Sequence, residues 1–187
     1  WSGFLLMALE LISGCILAPT FGSSIYVWGA VITVFMLALS IGYLIGGRMS
    51  MYAPSMRTLC GLHLLSGLMI LPILAFADPV LDGIFDLTQD PRTGSLASAV
   101  ILFFLPAVVC GTVAPYAVRL LVKDSHAAGF YAGLQYFFST ACSAAGTLLT
   151  SFYFVLIFEV NQILFLLMGT TIAVAFAAFL ISRRSAP

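Results

Sequence analysis

Apolar residues run along this chain in blocks long enough to cross a bilayer, and polar residues gather in the short gaps between them. A helix needs about 20 predominantly apolar residues to cross the hydrocarbon core. Runs of that kind occur at 2–18, 25–47, 58–77, 95–118, 127–157 and 161–182, each nearly free of charge. The gaps carry turn chemistry: Pro19 with Gly22, Pro54, Asp78-Pro79, Pro91 with Gly94, Lys123-Asp124, and Asn161. The pattern predicts an all-α fold: a polytopic transmembrane helical bundle of about six spans, one domain over residues 1–187.

The third gap has a pattern of its own. Asp78 suits an N-cap and Pro79 a first helical position, while Leu81, Ile84, Phe85 and Leu87 could form an apolar face. A short periplasmic amphipathic helix is expected between the third and fourth spans. Asp78, Asp82, Asp86 and Asp90 recur every four residues and would line one side of it. Such a row could attract cations or simply be the solvated face of an interfacial helix.

Composition agrees with the pattern. Of 187 residues, 62% are hydrophobic and 7% charged, and the mean hydropathy is +1.15. Soluble domains carry roughly 25% charged residues, and no soluble fold of this length hides so much apolar surface. The lipid bilayer is therefore the expected partner. Net charge is zero, there is no basic tract and no glycine-rich phosphate loop, and no nucleic-acid partner is expected. Cys15, Cys60, Cys110 and Cys142 lie far apart in apolar stretches, which favours packing over metal or redox roles. The chain starts at Trp1 rather than methionine, so a fragment or processed product is expected. Glu10 within the first apolar run argues against a signal peptide.

Orientation follows from the cations. Arg48 and Arg57 flank the second gap, Arg119 and Lys123 the fourth, and Arg183 and Arg184 the C-terminal tail, so six of the seven fall on one side of a six-span arrangement. Only Arg92 falls on the other side. The positive-inside rule then predicts cytoplasmic N- and C-termini. Helix packing is signalled by Gly42 and Gly46, a small-xxx-small pair, and by Ser139, Ala141, Ser143, Ala144, Ala145 and Gly146 in the fifth span.

Glu10 is the side chain with most chemical content. It lies near the centre of a span with no basic residue within a turn. A carboxyl there is costly unless paired, hydrated or protonated. It could be the counter-ion of a cationic substrate, a proton-coupled group, or a hydrogen-bonded structural acid. Two stretches, Gly14-Cys15-Ile16-Leu17-Ala18-Pro19 and Gly111-Thr112-Val113-Ala114-Pro115, look like interruptions at matching places in the first and fourth spans. They suggest a 3+3 inverted repeat with broken helices, and Pro106 predicts a further kink.

Polar and aromatic residues cluster near these places. Ser23, Ser24, Tyr26 and Trp28 follow the first; Tyr116 and Arg119 follow the second; Tyr131, Gln135 and Tyr136 open the fifth span. Their rings could hold an ammonium group, or they could form an interfacial belt. His63 reads as a packed polar residue and Glu159 as a solvated one. No nucleophile elbow or H-E-x-x-H motif occurs, so neither an enzyme on its own nor a cofactor is expected.

The stretch from Glu10 to Arg48, E-L-I-S-G-C-I-L-A-P-T-F-G-S-S-I-Y-V-W-G and later G-Y-L-I-G-G-R, resembles the membrane domain of spermidine-synthase-like integral membrane proteins, the fused major-facilitator/spermidine synthase family. P-A-V-V-C-G-T-V-A-P-Y-A-V-R-L from Pro106 and G-L-Q-Y-F-F-S-T-A-C-S-A-A-G-T from Gly133 extend the likeness. The resemblance implies a bacterial inner-membrane, multi-pass domain, often followed by a cytoplasmic aminopropyltransferase-like domain. No such domain occurs within these 187 residues. The pattern also departs at Cys15, where the family carries arginine, leaving Glu10 without that partner.

Together these readings predict a domain that binds or transports a small cationic solute of polyamine type. Glu10, Ser24, Trp28, Tyr43, Tyr116 and Tyr136 would contact the substrate. Gly46, Gly47, Arg48 and Arg119 would shape or gate the cytoplasmic loops. The alternative is a non-catalytic subunit or scaffold docking other membrane subunits. A third reading is the capture component of a vitamin importer, which has a similar span count.

Overall fold

The computed structural model describes residues 1–52, 54–122 and 128–184, and every regular element among them is helical. The elements are α1 (Ser2–Phe21), α2 (Ile25–Met49), α3 (Met56–Leu68), α4 (Ile70–Leu87), α5 (Pro91–Leu121) and α6 (Ala128–Leu149). A π-helical turn (Thr150–Phe154), α7 (Val155–Ile157) and α8 (Val160–Arg184) complete the order. α3 with α4 makes one long rod, as does α6 with its π turn and α7. The result is six helices long and apolar enough to cross a membrane. The turn expected at Lys123-Asp124 lies outside the described residues.

α5 is the most enclosed of the six and α6 the least. α2 packs most extensively on α5, α1 on α6, and α3 on α8. The α2–α5 contact is a backbone-to-backbone approach. Gly42 lies against the Val108 carbonyl and Gly111, and Gly46 against the Thr112 backbone. Without a hydrophobic drive between helices in lipid, such small residues let dispersion contacts accumulate. Leu9, Ile12, Val31, Phe35 and Phe103 fill the centre of the resulting core. Outside it, large apolar side chains such as Met36, Leu37, Phe137 and Phe152 are exposed, the surface expected of a protein solvated by lipid.

The helix ends follow their local chemistry. Gly22, at φ 80°, makes the turn from α1 to α2, a conformation glycine adopts at no steric cost. Ser55 caps α3 by accepting from the Thr58 N–H at 3.2 Å. Asp90 caps α5 by accepting from the Arg92 N–H at 3.1 Å, with Pro91 at the first helical position.

Several details differ from the sequence reading. The segment expected as a separate outer helix is the continuation of α4, with Pro79 inside it. Asp78 is therefore a helical residue rather than a cap. Asp78, Asp82 and Asp86 are exposed on that helix, Leu81 and Ile84 are buried, and Asp90 belongs to the start of α5. The interruptions expected near Pro19 and Pro115 are absent, since α1 and α5 run through them, and Pro106 also stands inside α5. Each proline removes a single intrahelical bond, and Pro19 stands within the last turn of α1. The third span breaks instead at Met69. Pro72 follows three residues later and has no N–H to offer the Leu68 carbonyl.

The cation-bearing helix ends meet. Gly46 near the end of α2 touches Thr112 of α5. The Ser55 N–H at the start of α3 donates to the Tyr116 hydroxyl at 3.0 Å. Arg57 of α3 shares a groove with Phe179 of α8. Arg48, Arg57, Arg119 and Arg183 thus lie at one end of the bundle. Arg92 is at the other, where it donates to the Tyr26 hydroxyl at 2.9 Å and stacks 4.3 Å from that ring.

Candidate functional site

Glu10 sits halfway along α1 and is half-buried. Among the described residues its carboxylate has neither a hydrogen-bond nor an ion-pair partner. Its neighbours are fixed by helical period. Gly3, Glu10 and Gly14 are spaced seven and four apart, which puts them within about 40° of one another on α1. Gly3 faces α6, where a Cβ would meet Ser143 Oγ at 2.7 Å and Ser139 Oγ at 3.0 Å. Gly14 faces α2, where a Cβ would meet the Trp28 ring at 2.7 Å. Glu10 shares this face, one turn from Gly14 and so roughly 6 Å along the axis from the level of the indole.

α1 therefore forms the floor between α2 and α6, which both pack on it without packing extensively on each other. Ser24, the residue preceding α2, lies one turn before Trp28. Its hydroxyl oxygen is buried with no hydrogen-bond partner among the described residues. Toward the arginine-bearing end, Tyr43 and Tyr136 are exposed and within electrostatic reach of each other. Tyr136 is three and seven residues before Ser139 and Ser143, so the three share a face of α6. The groups line one side of the bundle: Tyr43 and Tyr136, then Ser139 and Ser143, then Glu10, then Trp28 and Ser24.

Five of the expected site residues, Tyr116, Gly46, Gly47, Arg48 and Arg119, stand apart from this line. Tyr116 is fully buried and its hydroxyl is taken up by the Ser55 N–H. Gly46 is a packing contact of α5. Gly47 accepts from the Ser50 hydroxyl at 2.7 Å, and Arg48 and Arg119 are exposed at the helix ends. Ser139 and Ser143 are additions to the site. Small residues at these positions read as packing surface, and only the approach of Gly3 shows that their hydroxyls face α1.

Elsewhere, Cys15, Asp78, Glu159 and Asn161 line a pocket of about 210 Å³ where α1, α4 and α8 meet, at the end opposite the arginines. His63 lines a smaller one of about 140 Å³ between α3 and α8, with its Nδ1 3.3 Å from the Leu59 carbonyl. Among the described residues, no three His, Cys, Asp or Glu side chains come together as metal ligands. The chain matches no protein-family model, no curated protein and no solved structure. The reading of the site therefore rests on its geometry.

Proposed function

We propose that this membrane domain binds and carries a small organic cation of polyamine type, with Glu10 as its counter-charge. The observation that carries the reading is an acid at mid-span, on the one face of α1 that looks between α2 and α6. A carboxylate in that setting calls for a cation, a proton or water. The Trp28 ring within a turn of it offers a π face to an ammonium group, and the Ser24 hydroxyl offers an unfilled hydrogen-bond site. A flexible diamine or triamine could keep one ammonium near Glu10 and another near the tyrosines.

The packing pairs support a 3+3 repeat. Exchanging the first three spans for the last three turns the α1–α6 contact into the α5–α2 contact and leaves α3–α8 as its own mate. That relation is the one expected of inverted halves around a central site. The clustering of arginines at one end supports cytoplasmic termini by the positive-inside rule, and a bacterial inner membrane is the location in keeping with the family resemblance.

Calorimetric titration of spermidine and putrescine into the detergent-purified protein tests this function. Binding should be present in the wild type and lost in Glu10→Gln, with the thermal unfolding midpoint retained. Equal affinity in the two proteins would refute the role of Glu10.

A second reading, a non-catalytic subunit of a larger membrane complex, draws on α6. Gly146 is its single buried residue among the 22 of the helix. Phe130, Tyr136, Phe137 and Phe138 are exposed on it. Stable co-purification of a membrane partner in mild detergent would favour that reading, and a monodisperse monomer would count against it.

A further inference from the structure

A further cavity lies away from Glu10, as a groove of about 580 Å³ between α3 and α8. That volume is in the roughly 300–1,000 Å³ range of small-molecule sites. Its walls are almost wholly apolar and include Phe176 and Phe179. Gly61 and Gly169 line it too, and a Cβ at either would meet nothing within 4 Å. From Gly169 to Phe179 the groove runs ~15 Å along α8, about half of a ~30 Å hydrocarbon core. It is therefore one leaflet deep.

Its mouth is cationic. Arg57 lines the groove where α3 begins. The Arg183 guanidinium lies 5.0 Å from the ring of Phe179, which is itself a groove wall. Both arginines are exposed. A guanidinium stays charged and presents a planar fork that fits phosphate oxygens. An apolar trough one leaflet deep with two fixed cations at its surface end is complementary to one kind of molecule, an acyl chain carrying an anionic phosphate head.

We infer that the α3–α8 groove is a binding site for an anionic phospholipid, whose acyl chain lies along Gly61, Gly169 and Phe176 and whose phosphate is held by Arg57 and Arg183. The site is independent of Glu10 and of the solute proposed for it. Basic pockets between membrane helices hold anionic head groups by the same electrostatics.

Native mass spectrometry of the detergent-purified protein, titrated with phosphatidylglycerol or with phosphatidylcholine of identical chains, reads the site. Phosphatidylglycerol should bind about twenty-fivefold more tightly, the product of two cations at about fivefold each. The double variant Arg57→Ala/Arg183→Ala should erase that preference while leaving the unfolding midpoint unchanged, since both side chains are exposed. Gly169→Phe, which fills open groove rather than core, should displace both lipids. Equal retention of the two lipids by the wild type would overturn the inference. So would a preference that survives the double variant, or phosphatidylglycerol binding that survives Gly169→Phe.

Discussion

Tyr116 and Tyr136 carry the same phenol in opposite settings. Tyr116 is buried between helices with its hydroxyl accepting from the Ser55 N–H, whereas Tyr136 is exposed on α6. Tyr116→Phe keeps the packed ring but strands that N–H, at a cost of about 1 kcal/mol. In a chain of this size the unfolding midpoint should fall by about 2–4 °C, with solute affinity unchanged. Tyr136→Phe removes an exposed hydroxyl and should leave the stability within about 0.5 kcal/mol of wild type. A scan of both variants by thermal unfolding checks the contrast, and equal losses would contradict it. Glu10 was legible in the sequence because a charge inside an apolar run stands out from its neighbours. The roles of the two tyrosines were not, because the partner of Tyr116 lies 61 positions away and nothing local announces it. Ser139 and Ser143 were legible as packing residues, and Gly3 does pack on them, but that their hydroxyls face α1 could not be read until this neighbour was known.

At the scale of the helix, Gly46 and Gly47 are adjacent in sequence and opposite in consequence. A Cβ at Gly46 would run into the Thr112 backbone, while one at Gly47 would meet nothing within 4 Å. Gly46→Leu should therefore push α2 off α5 and destabilise the bundle by about 1–3 kcal/mol or more, the usual range for overpacking. Gly47→Ala adds a methyl in open space and gains helix propensity of up to about 1 kcal/mol. Opposite shifts in detergent unfolding temperature are the expected result, and matching shifts would mean that the α2–α5 approach is looser than its geometry. The small-xxx-small spacing of Gly42 and Gly46 made this contact readable in advance. The helix breaks were harder to read. A proline interrupts a helix only when the carbonyl it frees finds no other support. Pro19, Pro106 and Pro115 stand inside intact helices, whereas Pro72, unremarkable within an apolar run, stands just beyond the break at Met69.

For the whole molecule, the distribution of charge is what supports the proposed topology. α2 ends, α3 begins, and α5 and α8 end at the same face of the bundle, and that face carries Arg48, Arg57, Arg119 and Arg183. The opposite face carries Arg92 among the exposed Asp78, Asp82, Asp86 and Asp90. Placing a cation near the surface of an anionic leaflet is favourable by about 1 kcal/mol each, so an excess of three on one face biases insertion strongly in one direction. With the arginine-bearing end in the cytoplasm, as proposed, an alkaline phosphatase reporter inserted after Gln89 should be active in a bacterial host. The same reporter after Tyr52 should be inactive, and a fluorescent protein fused to the C-terminus should mature. The reverse pattern would invert the bundle and move the arginine-lined groove to the outer leaflet. Activity at both positions would instead mean that the long rod of α3 and α4, with its break at Met69, does not cross as one span. The predicted pattern has a consequence for the solute path proposed above. Tyr43 and Tyr136 would then open toward the cytoplasm and Ser24 toward the exterior, with Glu10 between them. A cation entering from either face would meet aromatic or hydroxyl groups before it reached the carboxylate.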